Sequence, residues 1–355
     1  MAGAGMDADA CGLPIPDELW PLVLRHVPWP QRARLRGLSR AWRGALDVPA
    51  LWRDGPLREY FSQCCVRGEL AAAQWLAAVG RLGPADARAR DNEALRLACR
   101  GGHLAVATWL ADTFGLTAAD ARTQDNYALC QACGFGHLVV ARWLADHFGL
   151  GAADARADDN YALRLSCRGG HLEVAQWLAA AFDLTPADAR ALDNWALRVA
   201  CREGHLEVAQ WLAASFALTD ADARAQRNEA LLGACRHGHL AMVRWLAAEF
   251  CGAAGRNDAV ADHTLLWTCA EGHLGTAKWL AGRFGLTAAD ARCLDNAALC
   301  KACENGHLAT AQWLVAAFGL GPADARARDN YALRAACENG HSDIVVWLRD
   351  AFGIA

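Results

Sequence analysis

Residues 160–178 read NYALRLSCRGGHLEVAQWL, and close copies of this string return along the chain. Its histidine belongs to a column, His103, His137, His171, His205, His239, His273, His307 and His341, whose members are always 34 residues apart. Tryptophans from Trp75 to Trp347 and cysteines from Cys65 to Cys337 keep the same period. Nine units fill residues 58–355 with no insertion or deletion. Stacked units demand this constancy, because one extra residue would rotate every later unit out of register.

Each unit reads as two helices. From Asn92, residues Ala94, Leu95, Ala98 and Cys99 share one helical face, and Gly101-Gly102 ends the run. A second helix from about Leu104 to Phe114 carries an apolar stripe too broad for one partner, so it must bury against both its own hairpin mate and a neighbouring unit. Thr117/Asp120, Thr185/Asp188 and Thr287/Asp290 have capping-box spacing and predict one more helical turn in the connection. Asn92, Asn126, Asn160, Asn194, Asn228, Asn296 and Asn330 sit just before the first helix, where an N-cap is expected. The connection 251–262, CGAAGRNDAVAD, keeps its length but loses the Asp-Ala-Arg pattern, which predicts a looser loop.

Composition excludes several classes of function. Of 355 residues, 35 are Lys or Arg and 39 are Asp or Glu, a net charge of −4 that gives no field to attract nucleic acid. The apolar fraction of 54% argues against wholesale disorder, yet no apolar run approaches the roughly 18 residues of a membrane span. The first twelve residues, MAGAGMDADACG, read as a disordered tail without a secretory signal, so an intracellular, cytoplasmic or nuclear location is expected. The fifteen cysteines are then expected to be thiols. Only Lys278 and Lys301 are lysine.

Ala162-Leu163, the small pair Ser166-Cys167, the Gly170-His171 turn and the Val174/Leu178 spine resemble the ankyrin repeat, over about five-sixths of the chain. The resemblance implies an all-α helical-hairpin solenoid of about nine repeats and a protein–protein interaction role. Here the family's Thr-Pro-Leu-His tetrad is x-Ala-Leu-x, the period is 34 rather than 33, and a capped turn replaces the usual hairpin, so β-hairpin fingers are not expected. This variant resembles the divergent arrays of large DNA viruses and amoebae, implying a host-cell location if the chain is viral.

Residues 13–57 form a separate module. Asp17-Glu18 follows Pro16 as a helix start, Leu19, Val23, Leu24 and Val27 share one face, and Leu35, Leu38, Trp42 and Leu46 share another. Pro16-Asp17-Glu18-Leu19, Val23-Leu24, Leu38-Ser39-Arg40-x-Trp42 and Leu51-Trp52 resemble the F-box. The resemblance implies that Pro16, Leu19, Val23, Leu24, Val27, Leu35, Leu38 and Trp42 bind a Skp1-type linker protein. That linker would join the chain to a cullin-RING ubiquitin ligase. The other reading of these helices is an apolar cap on the repeats.

Signs of catalysis are few. Cys130-x-x-Cys133-x-x-x-His137 and Cys300-x-x-Cys303-x-x-x-His307 have spacings that could hold zinc, but Cys133 and Cys303 also belong to the column of small core residues, the stronger reading. No Walker loop, G-x-S-x-G or H-E-x-x-H occurs. The expectation is a chain that is not an enzyme, with no cofactor, metal, nucleic acid or membrane partner, and a monomer outside any complex. Shared columns serve the stack, so recognition of an unknown protein target is expected where units differ: Tyr127, Tyr161, Arg164, Trp195, Arg198 and Trp267, of the residue types that dominate interface energies. Alternatively, these aromatics pack on adjacent connections. The function expected is a target-selecting subunit of an SCF-type ligase, or else a scaffold whose N-terminal helices only cap the array.

Overall fold

The computed structural model describes residues 57–250 and 258–354. The tail and F-box-like module, with Pro16, Leu19, Val23, Leu24, Val27, Leu35, Leu38 and Trp42, lie outside the described residues. So does the 251–257 part of the connection expected to be loose. The described chain is all-α, without a strand, and has the repeated helical hairpins of an ankyrin-type solenoid. It falls into two units, one ending at Asp154 and the other beginning at Ala155.

One repeat comprises a first helix, Ala89–Arg100, a second, Leu104–Phe114, and a four-residue turn, Ala118–Ala121. In the first unit, Leu57–Arg67, Ala89–Arg100 and Thr123–Gly134 lie side by side. In the second, the first helices from Ala157–Arg168 to Ala327–Glu338 do the same, and each also packs on its own hairpin mate. This two-sided burial accounts for the broad apolar stripe. Leu95, Leu110, Leu163, Leu178, Leu197 and Leu212 are fully enclosed, and each such side chain contributes about 1.5–3 kcal/mol relative to exposure.

The expected capping boxes form. The Asp120 carboxylate accepts from the Thr117 N–H at 2.8 Å and from its hydroxyl at 3.0 Å. Thr185/Asp188, Thr219/Asp222 and Thr287/Asp290 repeat the arrangement. At Gly151 and Gly321 the backbone N–H alone donates to Asp154 and Asp324, each at 2.8 Å.

The asparagine column behaves differently from the N-cap expectation. Arg90, Asp91 and Asn92 have φ of 51°, 57° and 57°, a turn of left-handed backbone, and six further repeats contain the same triplet. An N-cap holds an extended backbone that aims its side-chain oxygen at the N–H groups of the first turn. The left-handed backbone does not: Oδ1 of Asn92, Asn126, Asn160, Asn194, Asn296 and Asn330 is buried without a hydrogen-bond partner. The Asn92 amide instead donates to the Thr123 hydroxyl of the next repeat at 2.9 Å. Asparagine suits this place because its short polar side chain tolerates left-handed backbone better than most.

Candidate interaction surface

The shared columns are consumed by the stack. The His103 Nε2–H donates to the Val66 carbonyl at 3.0 Å, and His205 and His239 donate to the Arg168 and Arg202 carbonyls, also at 3.0 Å. A carbonyl only accepts, so Nε2 carries the proton. Burial lowers the pKa of His239 and His307, favouring that neutral form. Each ring lies against the glycine of the preceding turn. A Cβ on Gly170, whose φ is +75°, would stand 2.4 Å from the His205 Nδ1. Only glycine meets both demands.

The cysteine column is interior: Cys99, Cys133, Cys167, Cys201, Cys235, Cys269 and Cys303 have no exposed surface, and burial pushes the Cys167 and Cys235 thiols up to about 12. Cys337, in the last hairpin, is exposed. Cys130 and Cys300 are buried beside Cys133 and Cys303. Among the described residues, no group of three or more His, Cys, Asp or Glu side chains could hold a metal ion. The tryptophans are less enclosed than a core column requires. Beyond Trp75 they are half-buried, each meeting the phenylalanine five residues on edge-to-face, as in Trp177–Phe182 at 5.5 Å and Trp211–Phe216 at 5.6 Å.

An ionic ladder runs through the Asp-Ala-Arg turns. Arg88 Nε donates to Asp120 at 2.8 Å, and Arg122–Asp154, Arg156–Asp188, Arg190–Asp222 and Arg292–Asp324 repeat it at 2.8–2.9 Å. The same guanidiniums reach the backbone where the second helix of the next repeat ends, as from Arg190 to the Ala217 carbonyl at 3.1 Å. Burial alone would raise the pKa of Asp222, but bonds from Arg190 and Thr219 outweigh it and hold the carboxyl down to about 2. Arg224 instead pairs at 3.5 Å with Asp220 of its own turn. The Asp-Ala-Arg pattern is missing from the following connection.

With the shared columns occupied, the differing positions remain. Arg96 Nη1 donates to Gln124 at 2.9 Å and Nε to the Asp91 carbonyl at 2.8 Å, with its guanidinium 5.5 Å from the Tyr127 ring. Arg164, only 8% exposed, lies between the rings of Tyr161 at 5.1 Å and Trp195 at 5.2 Å. It donates to the left-handed Asp158 and Asp159 carbonyls at 2.7 and 2.9 Å. Arg198 donates to the Leu192 carbonyl at 3.0 Å and pairs with Glu229. The structure thus joins Tyr161, Arg164 and Trp195 in one stack, with their rings half-buried. Trp267 is separate: 37% exposed, with the Arg236 guanidinium 4.7 Å from its ring. Arginines also stand at the first-helix C-termini, outside the varying positions expected to recognise a target. Their signal was the sequence column Arg168, Arg202, Arg236.

Residues 197–290 and 265–354 match the family model of ankyrin repeats. No curated protein matches the chain. One similar solved structure is an ankyrin repeat family protein from Legionella pneumophila, 14% identical, covering 95% of this chain and 92% of that one with a TM-score of 0.32. Residues 197–354 contain ankyrin repeats, which make protein–protein interaction scaffolds. Among the described residues, no helix is long and apolar enough to cross a membrane.

Proposed function

We propose that the chain is a target-selecting subunit of an SCF-type ubiquitin ligase, with the N-terminal module held by a Skp1-type linker and the repeats holding a protein target. One observation carries the scaffold part. The shared polar columns are engaged within the stack, the histidines on backbone carbonyls and the Asp-Ala-Arg charges on one another. What varies on the first helices is then left for partners. In the second unit Tyr161, Trp195 and Trp267 present ring surface, and Arg164 and Arg198 support them from beneath by bracing the left-handed turns, while Tyr127 presents its ring in the first unit. Aromatic and arginine side chains are the types that dominate interface energies once a partner covers them. The ligase part rests on the F-box resemblance of residues 15–53.

Co-purification with Skp1 tests the proposal. The full chain is expected to retain the linker, and Leu24→Asp or Trp42→Ala to release it while the helical circular dichroism of the repeats persists. No association of the wild-type chain with the linker removes the ligase role. It would leave a scaffold whose N-terminal helices cap the repeats.

A further inference from the structure

We infer that the first-helix C-termini of three successive repeats form a basic track for an extended acidic segment ending in an apolar side chain. The inference deepens the scaffold reading and rests on it. Arg168, Arg202 and Arg236 occupy one column of the second unit. The carbonyls of Arg168 and Arg202 each accept from the histidine of the next repeat, His205 and His239, at 3.0 Å. First helices packed side by side place these positions about 10 Å apart.

Their charges are available. Arg168 is exposed and has no ion-pair partner among the described residues. Arg202 pairs at 3.1 Å with Glu203 and Arg236 at 3.3 Å with Glu271, all four side chains between 37% and 52% exposed. Such pairs are weakly held and exchange readily for a ligand's carboxylates. Two further observations shape the track. The stem of Arg202 packs against Gly233, where a Cβ would stand 3.1 Å from the Arg202 Cβ. Next to it Trp267 offers an exposed ring beneath Arg236. Beyond Arg236 the column reads Ala270, Glu304 and Glu338, so the basic track stops beside that ring.

An extended chain in the polyproline II form rises about 3.1 Å per residue with three residues per turn, which places every third side chain on the same side about 9 Å along the track. The matching ligand therefore carries carboxylates three residues apart and an apolar residue at one end. Arginine forks favour carboxylates geometrically as well as electrostatically.

Fluorescence anisotropy with labelled peptides tests this on the full chain. The probes are Glu-Ser-Gly-Glu-Ser-Gly-Glu-Ser-Gly-Phe, its reversed sequence, and versions with Lys for Glu or Ala for Phe. One of the two Glu/Phe directions is expected to bind, with affinity falling steeply as salt rises. Combining Arg168→Glu, Arg202→Glu and Arg236→Glu is expected to weaken binding at least about tenfold with helical content unchanged. Trp267→Ala is expected to weaken the Phe peptide but not the Ala version. No binding at low salt, equal binding of the Lys peptide, or undiminished binding by the charge-reversed chain overturns the inference. If the charge-reversed chain still holds a protein target that Trp195→Ala releases, the acidic-segment inference falls and the scaffold reading stands. If the peptide binds but no substitution at Tyr161 or Trp195 affects target retention, the proposed recognition residues fall and the track stands.

Discussion

Replacing Gly170 with alanine is expected to cost about 2–5 kcal/mol in the wild-type chain and about 1–2 kcal/mol once His205 is absent. Two effects add. A non-glycine residue in left-handed backbone costs about 1–2 kcal/mol, and Gly170 has φ of +75°. The new methyl group would also stand 2.4 Å from Nδ1 and 2.6 Å from Cε1 of His205, inside any permitted contact. The ring must leave, and its 3.0 Å bond to the Arg168 carbonyl goes with it; an orphaned polar group costs about 1–3 kcal/mol. In a His205→Ala chain that second loss has already occurred, so Gly170→Ala adds only the backbone strain. A double-mutant cycle by urea unfolding should therefore give a coupling of about 1–3 kcal/mol. Hydrogen exchange at the Leu206 amide reports whether the loss is local. Costs that add within about 0.5 kcal/mol would refute the claim that this glycine column is kept for the ring as well as for the backbone.

Other expectations use different bonds. Ala217 closes its helix with φ of 47° where Gly149 and Gly285 serve elsewhere, so Ala217→Gly is expected to raise stability by about 1 kcal/mol in urea unfolding; a loss would show that the strain is not felt. The Asp222 pKa is depressed to about 2, so its stabilisation is complete above the ordinary aspartate value of 3.8 and disappears as pH falls towards 2. Arg190→Gln should raise the midpoint of acid unfolding followed by circular dichroism, and an unchanged midpoint would mean that the ladder does not govern acid stability. Brief alkylation of the native chain followed by peptide mass spectrometry should label Cys337 well before Cys201 or Cys303, because a thiol buried in the seam is neither accessible nor ionised. Equal labelling would place the column on open surface.

Much of this was legible because the signals were local and repeated. Helical periodicity, the Gly-His turn and the Thr-x-x-Asp spacing each depend on residues a few positions apart. The asparagines were misread for a physical reason: residue type suits both an N-cap and a left-handed turn, and only backbone dihedrals distinguish them. The Asp-Ala-Arg pattern is visible in the sequence, but the 32-residue reach by which Arg156 finds Asp188 is not. Arg164 is the instructive candidate. Variation from repeat to repeat marked it as a surface contact, yet it is 8% exposed between two rings. A long cation can fill a gap between aromatic neighbours while its head serves backbone carbonyls, so variability alone did not reveal its burial.

The bonds that recur between neighbouring hairpins have fixed offsets: 32 residues forward from Arg190 to Asp222, and 37 back from His205 to the Arg168 carbonyl. Removing or duplicating 34 residues, or a multiple of 34, between repeats that carry the Asp-Ala-Arg turn restores the arginine and histidine partnerships with the equivalent side chain, whereas a length out of register breaks them together. Gene rearrangement can therefore lengthen or shorten the array in whole modules without inventing a new junction, and the number of repeats becomes a heritable adjustment of reach.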